Sequence, residues 1–150
     1  MYSTLLLLHL LGAMVWTGGH LVLALAVLPG ALKARDPARV LAFESVYERI
    51  GMPALLLQLV TGVWMGWRLL PGLEYWLALD TPHARLLALK FALLGLTLLT
   101  ALDARLRIIP QLRPETLPAL ARRIGFVTLL SVLFVVVGVS FRGRLLIGLV

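Results

Sequence analysis

Four long apolar stretches dominate this chain of 150 residues and constrain its fold more than any other feature. Each is close to the roughly 20 residues that an α-helix needs to cross the hydrocarbon core of a bilayer. Lipid offers no partner for free backbone N–H and C=O groups, so the spanning segments must be helices. Hydrophobic residues make up 61% of the chain, against the roughly 45–50% typical of soluble domains. We therefore expect an all-α integral membrane four-helix bundle, with residues 1–150 forming a single membrane domain.

Proline and glycine residues suggest where the spans end. The first span is expected to stop at Pro29-Gly30 and the third before Pro110. The segment 36–51 predicts a short amphipathic helix at the membrane surface, capped by Asp36, although it could equally extend the second span. The four spans are predicted at about residues 5–28, 52–70, 82–109 and 124–141.

The distribution of Lys and Arg predicts the orientation. One side of the predicted topology carries nine basic residues and the other four, so the positive-inside rule places both termini outside. In a bacterium this means the inner (cytoplasmic) membrane with periplasmic termini. The net charge of +7 follows this pattern and predicts no nucleic-acid partner. The nine are Lys33, Arg35, Arg39, Arg49, Arg105, Arg107, Arg113, Arg122 and Arg123, and the four are Arg68, Arg85, Arg142 and Arg144.

The first helix carries a polar stripe. The chain has no cysteine, so a metal would need His, Met, carboxylate or Lys ligands. His9 and His20 are 11 residues apart, which returns to nearly the same helix face about 16 Å deeper, too far for one metal ion to bind both. Trp16 lies on this stripe. The glycines beside it leave room for a flat cofactor or, alternatively, for close helix packing. They are Gly12, Gly18 and Gly19.

The third helix repeats this pattern, with His83, Lys90 and Thr97 at spacings of seven. Depth along the helices places His9, Met65, His83 and Lys90 in an outer layer and His20 deeper. Two imidazoles at similar depth, His9 and His83, suit axial ligation of a haem iron. The alternatives are interfacial histidines, a His20 imidazole hydrogen-bonded to Gln58 or a threonine hydroxyl, and a Lys90 side chain that reaches the interface.

Several runs of the sequence resemble known families. The first helix of the CopD-type copper-resistance membrane domain, and that of the related HemJ-like family, resembles the run LHLLGAMVWTGGHLVLALAVLP. The similarity continues in MPALLLQLVTGVWMGWRLLP, ARLLALKFALLGLTLLTALDARLRIIPQL and VGVSFR. HemJ-like proteins are four-helix membrane haem-b proteins linked to protoporphyrinogen oxidation, and the resemblance places their functional His and Lys on His9 and Lys90. Asp103 stands where they have a His, and His20 where they have an apolar residue. CopD-type domains are linked to copper uptake or tolerance.

These observations lead to a first functional hypothesis. The chain would be a membrane haem-b redox protein that transfers electrons or oxidises a small lipophilic reductant such as a quinone or porphyrin. His9 with His83 or Lys90 would line the outer haem site, beside Trp16, and His20 a deeper site or proton path. Lys90 is the candidate catalytic residue, and whether the protein is an enzyme is left open.

Two rival hypotheses remain. The first is copper transport or tolerance without haem, in which loss of copper on His9→Ala or Met65→Ala is expected, although the four methionines are scattered at Met1, Met14, Met52 and Met65. The second is a structural partner of a larger membrane complex. A homo-oligomer is compatible with each hypothesis.

Overall fold

The computed structural model describes residues 2–143 and 146, and its described part contains helices and no strands. The predicted roles of Met1 and Arg144 lie outside the described residues. Four helices are long and apolar enough to cross a membrane, which confirms an all-α multi-pass membrane protein. The helices are α1 Tyr2–Ala34, α2 Pro37–Leu69, the short α3 Leu73–Ala78, α4 Pro82–Gln111 and α5 Leu117–Gly143.

The long helices form two antiparallel pairs. Helix α1 packs along α2 and α4 packs along α5, while contacts between α1 and α5 join the two pairs. We call the end that carries the connections 35–36 and 112–116 the loop end, and the opposite end the terminal end. At the terminal end the Arg142 guanidinium lies 5.7 Å from the centre of the Tyr2 ring, which brings the first and last described turns together.

Helix α1 does not stop at Pro29-Gly30, so this predicted boundary is wrong. The helix continues to Ala34 because a π-helical turn at Leu23–Val27 precedes the proline. In that turn the N–H of Leu28 donates to the carbonyl of Leu23, five residues back. A wider turn accommodates a residue that lacks an N–H and whose ring would clash with a regular helix.

Helix α4 passes its proline in the same way. A π-helical turn at Ala104–Ile108 ends with the N–H of Ile109 donating to the Ala104 carbonyl, immediately before Pro110. The backbone then tightens into a 3-10 turn at Ile109–Gln111 and ends. Both prolines therefore change the helical pitch at the loop end, and neither ends its helix at the preceding residue.

No separate surface helix precedes the second span. Residues 37–51 are the first turns of α2, which confirms the alternative that they extend the span and corrects the prediction of a membrane-surface helix. Asp36 caps α2 as predicted, since its Oδ1 accepts from the Ala38 N–H at 3.0 Å. The segment joins the bundle because its apolar face has a protein partner: Val40 is fully buried in a cluster with Leu23 and Leu28 of α1.

Apolar packing and ion pairs hold the loop end together. Glu48 on α2 accepts from Arg105 on α4 at 2.6 Å. Asp103 on α4 accepts a hydrogen bond from Arg123 on α5 at 2.9 Å and lies 3.5 Å from Arg107. Arg105 is close to Asp103 in sequence but pairs with Glu48. The buried apolar cluster at this end contains Leu23, Leu28, Ala31, Val40, Ala104, Leu117, Leu120 and Ile124.

Candidate functional site

His9 lies in the terminal half of α1 and faces α2. Its Nδ1 is 2.9 Å from the hydroxyl oxygen of Thr61, and that hydroxyl lies 2.6 Å from the Leu57 carbonyl, to which it donates. The hydroxyl hydrogen is thus committed to Leu57, so Thr61 accepts the hydrogen bond and His9 Nδ1 carries the proton. The other ring nitrogen, Nε2, is then left with a lone pair that can bind a metal ion.

Small residues bring α1 and α2 close enough for this contact. A Cβ added to Gly62 would lie 3.2 Å from Cε1 of His9, and one added to Gly12 would lie 2.8 Å from Cγ of Gln58. Both distances are shorter than ordinary van der Waals contact, so neither position accepts a larger side chain without a shift. At Gly12, of the two alternatives predicted for the glycines, close helix packing applies and room for a flat cofactor does not, because α2 fills the space.

His20 lies about three turns deeper and also faces α2. Its Nδ1 is 2.9 Å from the Trp16 carbonyl, which can only accept, so Nδ1 again carries the proton and Nε2 the lone pair. The predicted partners, Gln58 or a threonine hydroxyl, do not bind the imidazole. The Thr128 hydroxyl instead approaches the backbone carbonyl of His20 at 3.3 Å and links α1 to α5.

Tyr47 completes the surroundings of His20, although it was not predicted as a site residue. Its hydroxyl donates to the Trp16 carbonyl at 2.9 Å, and its ring lies edge-on to the His20 ring with centres 5.7 Å apart. The Trp16 ring lies 4.5 Å from that of His20. A Cβ on Gly19 would overlap the Tyr47 ring. The room beside Trp16 at Gly19 is therefore filled by an aromatic residue of α2, whereas Gly18 has open space.

His83 and Lys90 both approach α5. The Lys90 Nζ lies 5.6 Å from the centre of the Phe141 ring, and the His83 ring lies 6.1 Å from the same ring. A Cβ on Gly138 would be 3.7 Å from the Lys90 Nζ, so α5 leaves space for the ammonium group. The structure thus joins His83 to Lys90 through Phe141, whereas the described side-chain contacts of His9 lie on α2.

Met65 is half-buried on α2, one helical turn beyond Thr61 towards the terminal end. Among residues 2–143 and 146, no three His, Asp or Glu side chains come together as a metal-binding group. Any metal site in this part of the chain would therefore combine one or two imidazoles with other donors, such as a thioether, an amine, water or a bound substrate. The candidate ligands fall into two groups, one along α1 and α2 and one at the junction of α4 and α5.

Comparison with known proteins tests the predicted resemblance. The family model for copper resistance protein D matches residues 41–141, which include nearly all of α2, all of α3 and α4 and most of α5. His83, Lys90 and Met65 lie inside the matched region, whereas His9, Trp16 and His20 precede it. No curated protein and no solved structure matches the chain. The match extends over about two thirds of the residues, and the chain therefore belongs to the copper resistance protein D family.

Proposed function

We propose that this protein binds copper ions inside its helical bundle and passes them along the interface of α1 and α2 as part of copper tolerance. Copper is here the transported substrate. The observation that carries the proposal is the shared geometry of His9 and His20, each of which uses Nδ1 as a donor and leaves an Nε2 lone pair. Membership of the copper resistance protein D family supports copper as the ion.

The residues around each imidazole suit this role. Imidazole and thioether groups are suitable copper ligands, and Met65 is the methionine nearest along α2 to the residues that hold His9. The Thr61 hydroxyl fixes the orientation of the His9 ring, as residues behind metal ligands commonly do. Because His9 and His20 are about 16 Å apart in depth, they would act as successive sites. Insertion with the nine basic residues facing the cytoplasm of a bacterium is part of the proposal.

Copper content and optical spectra of the detergent-purified full chain test the proposal. We expect bound copper in the wild type, loss of the outer site in His9→Ala and of the deeper site in His20→Ala, and unchanged copper in His83→Ala. Wild-type protein that binds no copper, or equal loss in all three variants, would contradict it. Circular dichroism of each variant checks that the helices are retained.

Haem b is a second candidate, favoured by the fixed orientation of His9. An imidazole held through Nδ1 with Nε2 free could bind a haem iron, and haem would supply one-electron chemistry. The residues that would hold it are His9 with His83 or Lys90. At His20 the Trp16 and Tyr47 rings contact the imidazole, so a planar macrocycle there would require them to move.

The same experiment separates the two candidates. Haem predicts a Soret band and reducible α and β bands that are lost in His9→Ala and in either His83→Ala or Lys90→Ala. The copper proposal predicts no such bands and no effect of His83→Ala on the copper content. A role for Lys90 in oxidising a quinone or porphyrin belongs to the haem candidate alone, whereas a homo-oligomeric state is compatible with both candidates. Protein that contains neither copper nor haem, from cells supplied with both, would leave helix association as the function of the polar stripes.

A further inference from the structure

A groove between α4 and α5 at the loop end lies apart from both groups of candidate ligands. It has a volume of about 410 Å³ and is formed by the two helices alone. We infer that this groove binds an anionic glycerophospholipid, with the phosphate at Arg122 and an acyl chain along the apolar part. Its lining residues are Leu99, Thr100, Asp103, Arg122, Arg123 and Phe126.

The groove is charged at one end and apolar at the other, as a phospholipid has a charged headgroup and apolar acyl chains. Asp103 and Arg122 lie at its loop end, whereas Leu99 and Phe126 are each one helical turn, about 6 Å, closer to the middle of the bundle. Leu99 and Phe126 expose 66% and 42% of their surface, so the apolar part is open towards the lipid. A small inorganic anion would use only the charged end of this groove.

The charges at the loop end favour an anion. Asp103 already accepts a hydrogen bond from Arg123 Nε at 2.9 Å, lies 2.8 Å from Arg123 Nη2 and lies 3.5 Å from Arg107. The carboxylate of Asp103 thus stands against the guanidinium groups of Arg107, Arg122 and Arg123, which leaves a net charge of +2. Arg122 is exposed and forms no ion pair within residues 2–143 and 146. Its guanidinium donors therefore remain available to a phosphate.

The remaining polar groups define what the groove can recognise. The Thr100 hydroxyl donates to the Leu96 carbonyl at 2.7 Å, so it offers no donor to an anion. Arg123 places Nε and Nη2 on Asp103, and within residues 2–143 and 146 its Nη1 has no hydrogen-bond partner. Recognition would therefore depend on Arg122, with support from one nitrogen of Arg123. Basic grooves between membrane helices are common sites for anionic headgroups.

Native mass spectrometry of the full chain in detergent tests this inference by titration with dioleoyl phosphatidylglycerol, dioleoyl phosphatidylcholine and sn-glycerol 3-phosphate. We expect the phosphatidylglycerol adduct to be the tightest. Equal affinity for the two lipids would refute headgroup recognition. Glycerol phosphate binding as tightly as phosphatidylglycerol would show a site for soluble anions, and would overturn the lipid assignment. These wild-type measurements do not depend on the folding of any variant.

Two variants locate the site. Arg122→Gln should weaken phosphatidylglycerol binding about fivefold, the factor that corresponds to ~1 kcal/mol for one basic residue at an anionic surface. Arg113→Gln removes an exposed arginine of the same end outside the groove and should leave the affinity unchanged. Equal weakening by both substitutions would mean that net charge, and not the groove, attracts the lipid. Phe126→Ala should weaken binding of phosphatidylglycerol and leave that of glycerol phosphate unaltered.

Discussion

Replacing Gly19 with alanine tests the packing of α2 against the centre of α1. The added Cβ would overlap the Tyr47 ring, which must then move and lose its hydrogen bonds to the carbonyls of Val15 and Trp16. Gly18→Ala is a matched control in the adjacent position of the same helix, because a Cβ there meets nothing within 4 Å. Both substitutions change the same residue type within regular helix, so their effects on backbone entropy should largely cancel.

The difference between the two variants can be calculated from the contacts. Overpacking in a filled core costs about 1–3 kcal/mol, and the loss of the Tyr47 hydrogen bonds adds about 0.5–1.5 kcal/mol. We therefore expect Gly19→Ala to be about 2–4 kcal/mol less stable than Gly18→Ala. Equilibrium unfolding in mixed dodecyl maltoside and SDS micelles, followed by tryptophan fluorescence, measures this difference.

A double-mutant cycle identifies the cause. In a Tyr47→Ala background the ring that obstructs residue 19 is absent, so Gly19→Ala should cost no more than Gly18→Ala. Equal stability of the two alanine variants in the wild-type background would refute the close approach of Tyr47 to α1. A penalty for Gly19→Ala that persists without the Tyr47 ring would assign the effect to another contact.

Two further predictions concern polar contacts between helices. Thr61→Val removes the acceptor for His9 Nδ1–H. In copper titrations it should weaken copper binding about 10- to 100-fold, as loss of a residue that orients a metal ligand commonly does. Thr61→Ser keeps the hydroxyl and should retain the wild-type affinity. Asp103 and Arg123 should show a coupling free energy of about 1–2 kcal/mol in a double-mutant cycle, since their charged hydrogen bond is partly buried. Asp103 and the exposed Arg107 should show less than about 0.5 kcal/mol. Equal copper affinity of the two Thr61 variants, or equal coupling of both arginines to Asp103, would contradict these contacts.

Local features of the sequence predicted the class of fold and part of the site. The spacing of His9 and His20 predicted one shared helix face, and the structure confirms it, because both imidazoles lie towards α2. Helical periodicity depends only on the backbone, so such relations within one helix can be obtained without knowing its neighbours. The Asp36 cap is local in the same sense.

Contacts between helices required the tertiary structure. The spacing of His83 and Lys90 gave their common face, but only the packing of α4 on α5 shows that Phe141 is their shared neighbour. Tyr47 lies in the segment 36–51 that was predicted as a surface helix. Its position beside His20 depends on Gly19 and Gly51, which are 28 and 4 residues away in the chain and surround its ring.

The sequence by itself determined that this protein crosses a membrane with four helices, because the length and apolarity of its spans leave no other way to satisfy the backbone in lipid. The tertiary structure decided how the helices pass Pro29 and Pro110 and which polar side chains meet. A proline can end a helix or be passed by a π-helical turn, as both prolines are here, and hydrogen bonds such as that of His9 to Thr61 join residues 52 positions apart. Composition and periodicity specify the faces of helices, whereas the chemistry of a site depends on which faces come together.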